Sequence, residues 1–274
     1  MAIARVGISG WRYPPWRGEW YPKGLPQRRE LEYSSGRLSS IELNGSFYSL
    51  QRPQNYLDWY DETPSGFVFS VKGGRFITHL KRLNDIEIPL ANFFASGVLA
   101  LREKLGPILW QLPERHAFDA DQLEAFFAKL PRTTSQALAL ARKHDVRLNG
   151  RDWLESQPER PLAHALEARH PAFIGDSVAA LLRANGIAFV VADTAGKWPQ
   201  NRTVTSDFVY VRLHGAEELY ASGYTESALD AWAADIRGWL DSGRDVYVYF
   251  DNDMKVRAPF DALALASRLG IEWG

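Results

Sequence analysis

The chain is 274 residues long, a length that accommodates one or two domains, and 46% of it is hydrophobic, enough apolar material for a large core. With 32 Lys and Arg against 33 Asp and Glu the formal net charge is -1, so no global basic field draws in nucleic acid and any anion site must be local. The absence of cysteine excludes disulfides, iron–sulfur clusters, a cysteine nucleophile and thiolate zinc sites. Met1 to Val6 lack the basic start and apolar core of a signal peptide, and no apolar run is long enough to span a bilayer. A cytoplasmic protein without a membrane partner is the expectation.

Arg5-Val6-Gly7-Ile8-Ser9 reads as a first strand, ended by Gly10. An aromatic loop follows, with Trp11, Tyr13, Trp16, Trp20 and Tyr21 among prolines and glycines. It is either a stacking wall for a base or sugar or a hydrophobic plug that closes one end of the core. Gln27 to Arg37 reads as a helix, Ser40 to Asn44 as the second strand with Glu42 and Asn44 on one face, and Pro53 to Glu62 as a helix with proline in its first turn. Phe67 to Lys72 is the third strand; it runs into Gly73, Gly74 and Arg75, with His79 in the loop beyond. Those glycines would let backbone N–H groups approach an anion to which Lys72 and Arg75 add charge, although Gly-Gly is also an ordinary turn. Ala91 to Lys104 reads as one helix, Gly106 to Leu112 as the fourth strand stopped by Pro113, and Asp121 to Leu130 as a helix. Thr134 to Pro161 reads as a helix and then a surface connection.

The fifth strand is the uncapped apolar run beginning at Ala163. Side chains alternate along a strand, so Glu167 and Arg169 share a face, and His170 opens the loop before Pro171. Charge is costly to bury unless paired, so this strand end either faces a solvated cleft or neutralises itself; solvent access is the expectation for Glu167. Ser177 to Ala184 is a helix closed by Asn185-Gly186, and Ile187 to Ala192 is the sixth strand, ending at Asp193. Phe208 to Leu213 is the seventh, with Arg212 and His214 on one face and Val209, Val211 and Leu213 on the other. Thr225 to Leu240 is an amphipathic helix, Asp245 to Phe250 the eighth strand, ending in Asp251-Asn252-Asp253, and Ala258 to Leu269 the last helix.

Strands alternate with helices throughout, and most strands are apolar on both faces, which calls for a parallel sheet covered by helices. About eight such units in one chain favour an α/β fold made of a single (β/α)₈ TIM-type barrel spanning residues 1–274, over a doubly wound open sheet. Neither G-x-G-x-x-G nor a P-loop follows the first strand, so no nucleotide-cofactor motif is present. In such a barrel the C-terminal strand ends carry the active site. Alternation nominates Ser9, Glu42, Asn44, Lys72, Gln111, Glu167, Arg169, Asp193, Arg212, His214 and Asp251 or Asn252, with His79 and His170 on adjacent loops. Glu167 pairing with Arg169 or Lys72, Arg212 pairing with Asp193, and His170 as a satisfied loop histidine are the structural alternatives.

Five segments carry a family resemblance: Gly7-Ile8-Ser9-Gly10-Trp11; Phe69 to Lys72 with Ile77-Thr78-His79; Glu167 to His170; Tyr210 to Gly215; and Val248-Tyr249-Phe250 with Asn252-Asp253. In this order they resemble the motifs of the YecE-like family, domain of unknown function seventy-two. The resemblance implies a TIM-type barrel and a mostly prokaryotic, soluble protein, and it implies no particular reaction. Gly73 stands where the pattern has alanine, Phe173 where it has tryptophan, and Asp251 where it has asparagine, the last adding a negative charge.

Two functional classes remain. In one, an enzyme of hydrolase or isomerase type acts on a phosphate-bearing, nucleotide- or sugar-phosphate-like ligand. Lys72, Arg75, Arg169 and Arg212 bind the anion, Glu42 or Glu167 acts as general base, His170 or His214 as general acid, and Trp11 stacks. Asn44, His79, Gln111, Asp193 and Asn252 complete the ligand-binding set. A divalent metal held by Glu, Asp and His from several strand ends stays open as a cofactor, without a compact motif such as H-E-x-x-H. In the other class the same residues hold a metabolite or nucleic acid without turnover.

Overall fold

The computed structural model describes residues 1–273. It has nine strands: β1 (Ala4–Ser9), β2 (Ser40–Leu43), β3 (Val68–Lys72), β4 (Leu105–Gln111), β5 (His164–Glu167), β6 (Ile187–Phe189), β7 (Val191–Asp193), β8 (Phe208–Leu213) and β9 (Asp245–Phe250). The helices are α1 (Glu30–Ser35), α2 (Gly45–Tyr48), α3 (Pro53–Asp61), α4 (Glu87–Ala95), α5 (Ala120–Lys129), α6 (Thr134–Ala141), α7 (Asp176–Ala184), α8 (Glu226–Asp241) and α9 (Ala258–Arg268). The strands run in the order β6-β5-β4-β3-β2-β1-β9-β8-β7, and the pairs β1–β2, β1–β9, β3–β4, β4–β5, β7–β8 and β8–β9 are parallel. This is an α/β fold of the TIM-barrel type. No helix among the described residues is long and apolar enough to cross a membrane.

The expected sixth strand is two strands. The Phe189 N–H donates to Thr205 Oγ1 at 2.8 Å, and Val190 falls between β6 and β7, which stand at opposite ends of the strand order. Counted as one interrupted strand they restore the expected eight. The helix expected over 91–104 also breaks. Gly97 adopts φ 112°, and a Cβ there would lie 2.6 Å from Pro53 Cα, so α4 ends at Ala95 and a 3-10 stretch, Val98–Lys104, follows. Gln27–Arg29 is a 3-10 turn ahead of α1, and the loop expected to hold His79 is a π-helical turn, Phe76–Leu80.

Contacts cluster into two compact units. One comprises Met1–Glu42, Thr63–Phe67 and residues 188–273. Here β1 and β2 approach so closely that a Cβ at Gly7 would sit 1.8 Å from the Ser40 carbonyl oxygen, which only glycine permits. The aromatic loop is a plug. Trp11, Trp16, Trp20 and Tyr21 are all at most 6% exposed. Trp16 Nε1–H donates to the Asp253 carbonyl, Trp20 Nε1–H to Ser34 Oγ, and the Tyr21 hydroxyl to the Trp11 carbonyl. A stacking wall needs an open ring face, which this packing does not leave at Trp11.

The other unit comprises Leu43–Glu62 and Val68–Ile187. Register pairs Lys72 with Leu109 and Gln111 with Glu167, so Lys72, Gln111 and Glu167 share one face of β3, β4 and β5. The opposite face carries Trp110 and His164, and Trp110 packs on Phe93 of α4 and Phe126 of α5. A Cβ at Gly73 would lie 2.3 Å from the Trp110 ring, so the indole takes the space that alanine would need there. Trp110 Nε1–H donates to His164 Nδ1 at 3.1 Å. The ring proton therefore sits on Nε2, which donates to the Pro131 carbonyl at 2.8 Å. Burial, opposed by that carbonyl bond, brings the His164 pKa down to about 4.

The depressed value has a definite sign. An unfolded chain takes up this proton near pH 6.5, whereas the folded one resists until about 4. Stability is thus fully present above pH 6.5 and is lost as the pH falls toward 4, by up to about 3 kcal/mol. Denaturation of wild type and His164→Gln across this range measures it: the variant is expected to show a shallower acid slope.

Candidate functional site

The first unit collects an ion network from the C-terminal ends of four strands. Arg212 on β8 is fully buried. Its Nε–H donates to Glu42 Oε2 at 3.0 Å and its Nη2 to Glu42 Oε1 at 2.8 Å, a bidentate pair. Nη2 also donates to Asp251 Oδ2 at 3.0 Å. Glu42 on β2 accepts two further bonds, from the Ser9 hydroxyl of β1 at 3.0 Å and the Tyr210 hydroxyl of β8 at 2.7 Å. Tyr210 and Arg212 reach the same carboxylate because residues two apart on a strand share a face.

His214 is buried beside this pair. Its Nε2 lies 3.4 Å from Arg212 Nη1. A guanidinium only donates, so Nε2 accepts and the ring proton belongs on Nδ1. Nδ1 stands 2.9 Å from Asp251 Oδ2, though the N–H direction is too oblique for a full hydrogen bond. The charge that Asp251 adds relative to the family pattern is therefore met by Arg212 and His214. Burial, followed by the charge of Asp251, pushes the Asp253 carboxyl up to about 6. The nearby Tyr13 hydroxyl donates to the Ser9 carbonyl at 2.5 Å.

These contacts reassign several expected roles. Glu42 carries four hydrogen bonds and no exposure, which leaves a general base no lone pair to offer. Arg212 is committed to two carboxylates, neither of them the Asp193 that the sequence suggested, and cannot also clamp a ligand phosphate. Asp193 accepts from Gln200 Nε2 at 3.1 Å and the Ala195 N–H at 3.4 Å. Asn252 is buried and its amide nitrogen donates to the Ser222 carbonyl and to Asp261 Oδ2, tying the segment after β8 to α9.

The second unit carries a cationic cluster. Lys72 ends β3, and its Nζ lies 4.6 Å from the centroid of the Phe47 ring of α2. Phe47 also meets His79 edge-on at 5.1 Å. His79 is half-buried in the π-helical turn, with Nδ1 2.9 Å from Thr78 Oγ1. Burial first, then the charges of Lys72, Arg169 and Arg75, hold its pKa at about 4, against an opposing contribution from Glu167. Arg75 is exposed just before that turn.

Glu167 is only 1% exposed and accepts from Arg169 Nε at 2.8 Å. The solvent access expected of it is absent, because Arg169 folds back over it. His170 Nδ1 accepts the Ala172 N–H at 3.1 Å and so caps the turn Pro171–Phe173, a structural task. Phe173, which replaces the pattern's tryptophan, is buried against Phe118. Gln111 is buried at the end of β4. Asn44 occupies the N-cap position of α2, and its Oδ1 is buried without a hydrogen bond.

A polar cavity of about 530 Å³ opens beside His79, with Arg82, Arg115, His116, Asp119 and Gln122 in its lining. His116 was not among the expected site residues. It is 7% exposed, its Nε2 is buried without a hydrogen bond, and burial is the first cause lowering its pKa. Phe47 and His116 sit on a short helix and a loop without periodicity, so only proximity reveals them. Among the described residues no three His, Asp or Glu side chains converge to hold a metal ion.

The model of the family described as "Protein of unknown function DUF72" matches residues 5–274. The chain belongs to this family. Among relatives, the DUF72 chain is 22% identical to the UPF0759 protein YunF of Bacillus subtilis, over 98% of this chain and 95% of that protein. A solved DUF72 family protein from Thermotoga maritima superposes with TM-score 0.80 at 24% identity, covering 98% of this chain and 99% of that one. One from Enterococcus faecalis gives 0.76 at 15% identity, covering 99% and 97%. At these identities the likeness is one of fold.

Two substitutions separate structural from functional charge in this DUF72 protein. Arg212→Leu strands the buried Glu42 carboxylate and the partly buried Asp251, and is expected to cost about 3–5 kcal/mol in chemical denaturation. Glu167→Gln leaves Arg169 without its acid among other cations. Because Arg169 keeps some solvent contact, the expected loss is smaller, about 2–3 kcal/mol. Wild-type stability in Glu167→Gln would return this residue to the list of candidate bases.

Proposed function

We propose that this protein binds a small phosphate-bearing anion at the C-terminal ends of β3, β4 and β5, with the cavity beside His79 as its seat. The observation that carries the reading is the state of His79. At His79 the charges of Lys72, Arg169 and Arg75 each act more strongly than that of Glu167, so the field at this imidazole is positive although the whole chain is close to neutral and Glu114 and Asp119 line the far side of the cavity. Lys72 and Arg169 supply fixed charge around His79, Arg82 and Arg115 line the cavity itself, and the exposed Arg75 is close enough for its charge to act on His79. His79 and His116 supply neutral imidazoles lining the seat. With a formal net charge of -1, a small metabolite suits this local field better than nucleic acid.

Binding rather than turnover is the part the geometry supports. Two of the four side chains nominated for catalysis, Glu42 and Glu167, are enclosed in ion pairs, His214 is buried between Arg212 and Asp251, and His170 caps a turn. Consumption of a phosphate ester by the purified protein would place it instead among enzymes, with His79 as the base to mutate first.

Sulfate tests the reading without titrating near neutrality itself. A bound anion offsets the cations at His79 and raises its pKa from about 4, so binding takes up a proton between that value and pH 6.5. Calorimetric titration is expected to show sulfate affinity rising as the pH is lowered from 7 to 5. Arg75→Ala should weaken it roughly five- to tenfold, the loss of one charge-assisted contact. His79→Gln should flatten the pH dependence. A pH-independent affinity, or one that Arg75→Ala leaves unchanged, sinks the proposal.

A further inference from the structure

A second cavity in the same unit, about 310 Å³, takes no part in anion binding. Its walls include Leu50, Phe76, Ile77, Ile88, Pro89 and Phe93. Leu50, Phe76 and Ile88 are each 42% exposed, three large apolar side chains left in water around one hollow. Water gains nothing from such a surface, and covering it is favourable in proportion to its area. The volume lies within the range of small-molecule sites.

One polar group is set into these walls. Asn92 of α4 is 4% exposed and lines the cavity. Its Oδ1 accepts the Asp145 N–H at 3.0 Å, which fixes the orientation of the amide. Its Nδ2 makes no hydrogen bond to another described residue and keeps some solvent contact, so the amide N–H groups can meet an acceptor in the cavity. The charged groups at the rim answer one another: Lys81 lies 3.9 Å from Asp85, and Arg147 lies 3.4 Å from Asp145. The hollow therefore offers an apolar body, one donor and no net charge.

We infer that this cavity is a binding site for a small uncharged aromatic or branched-alkyl molecule with one carbonyl-type acceptor, which Asn92 Nδ2 receives. An anion finds no unopposed cation there, and a pure hydrocarbon leaves the amide unsatisfied. The inference is independent of the anion site, since none of Lys72, Arg75, His79 and Arg169 lines this cavity.

Acetophenone and ethylbenzene, alike in shape but differing in the carbonyl, are the probes. In amide-resolved NMR titrations of the full chain, acetophenone is expected to give saturable shifts at Ile77, Asn92 and Phe93. It should bind about fivefold more tightly than ethylbenzene, the margin one hydrogen bond provides. Asn92→Asp keeps the acceptor for the Asp145 N–H but loses the donor, and should abolish that margin. Ile88→Trp, at an exposed rim position, should weaken both probes at least tenfold by filling the mouth. Shifts that do not saturate, or that fall on other residues, overturn the inference. So does a ketone that binds no more tightly than the hydrocarbon in wild type, a comparison that holds even if a variant fails to fold. Arg75→Ala should leave both probes unaffected, which separates failure here from failure of the anion site.

Discussion

The guanidinium of Arg212 is the constraint around which the first unit is built. A cation with no exposure is tolerable only if its desolvation is offset by closely placed acids, and Glu42 and Asp251 supply them. The contributing side chains come from β1, β2 and β8 and from the residue after β9. The network therefore does what an apolar core does poorly: it distinguishes one strand register from another. Sliding β2 by one residue would turn Glu42 to the opposite face and leave Arg212 facing Asp251 alone. The close approach at Gly7 serves the same end, because it holds β1 against β2 at the level where Ser9 meets Glu42.

The second unit treats charge differently. Its strand ends gather more cations than acids around His79, and the imidazole responds by staying neutral. A group held far from its ordinary pKa by its neighbours is one whose state a new charge can change, which is what separates this cluster from the saturated network around Arg212.

Strand positions were legible because apolar runs and their polar ends are local signals, and the alternation rule placed Arg212 with His214 and Glu167 with Arg169 on common faces. Partners were not legible. Nothing local says that Arg212 of β8 meets Glu42 of β2, and a ring of polar strand ends reads the same whether its members bind a ligand or one another. The break at Val190 depends on Thr205, fifteen residues away, and the kink at Gly97 on its contact with Pro53. The π-helical turn at Phe76–Leu80 inserts a residue that leaves no mark on composition. His116 and Phe47 escaped for a plainer reason: each is a single side chain in a segment too short to show a period.

Gly73 and Trp110 form a lock with a direction. Because the indole fills the volume a methyl group would claim, the alanine that the family pattern has at 73 is closed to this chain while tryptophan stays at 110. Trp110 in turn is held by His164, by Phe93 and by Phe126, so it cannot retreat alone. A lineage leaving this arrangement must shrink the indole first and pass through a chain with a hole beside α4 and α5. Glycine at 73 is thus accounted for by the packing of the core, with no demand from the neighbouring site.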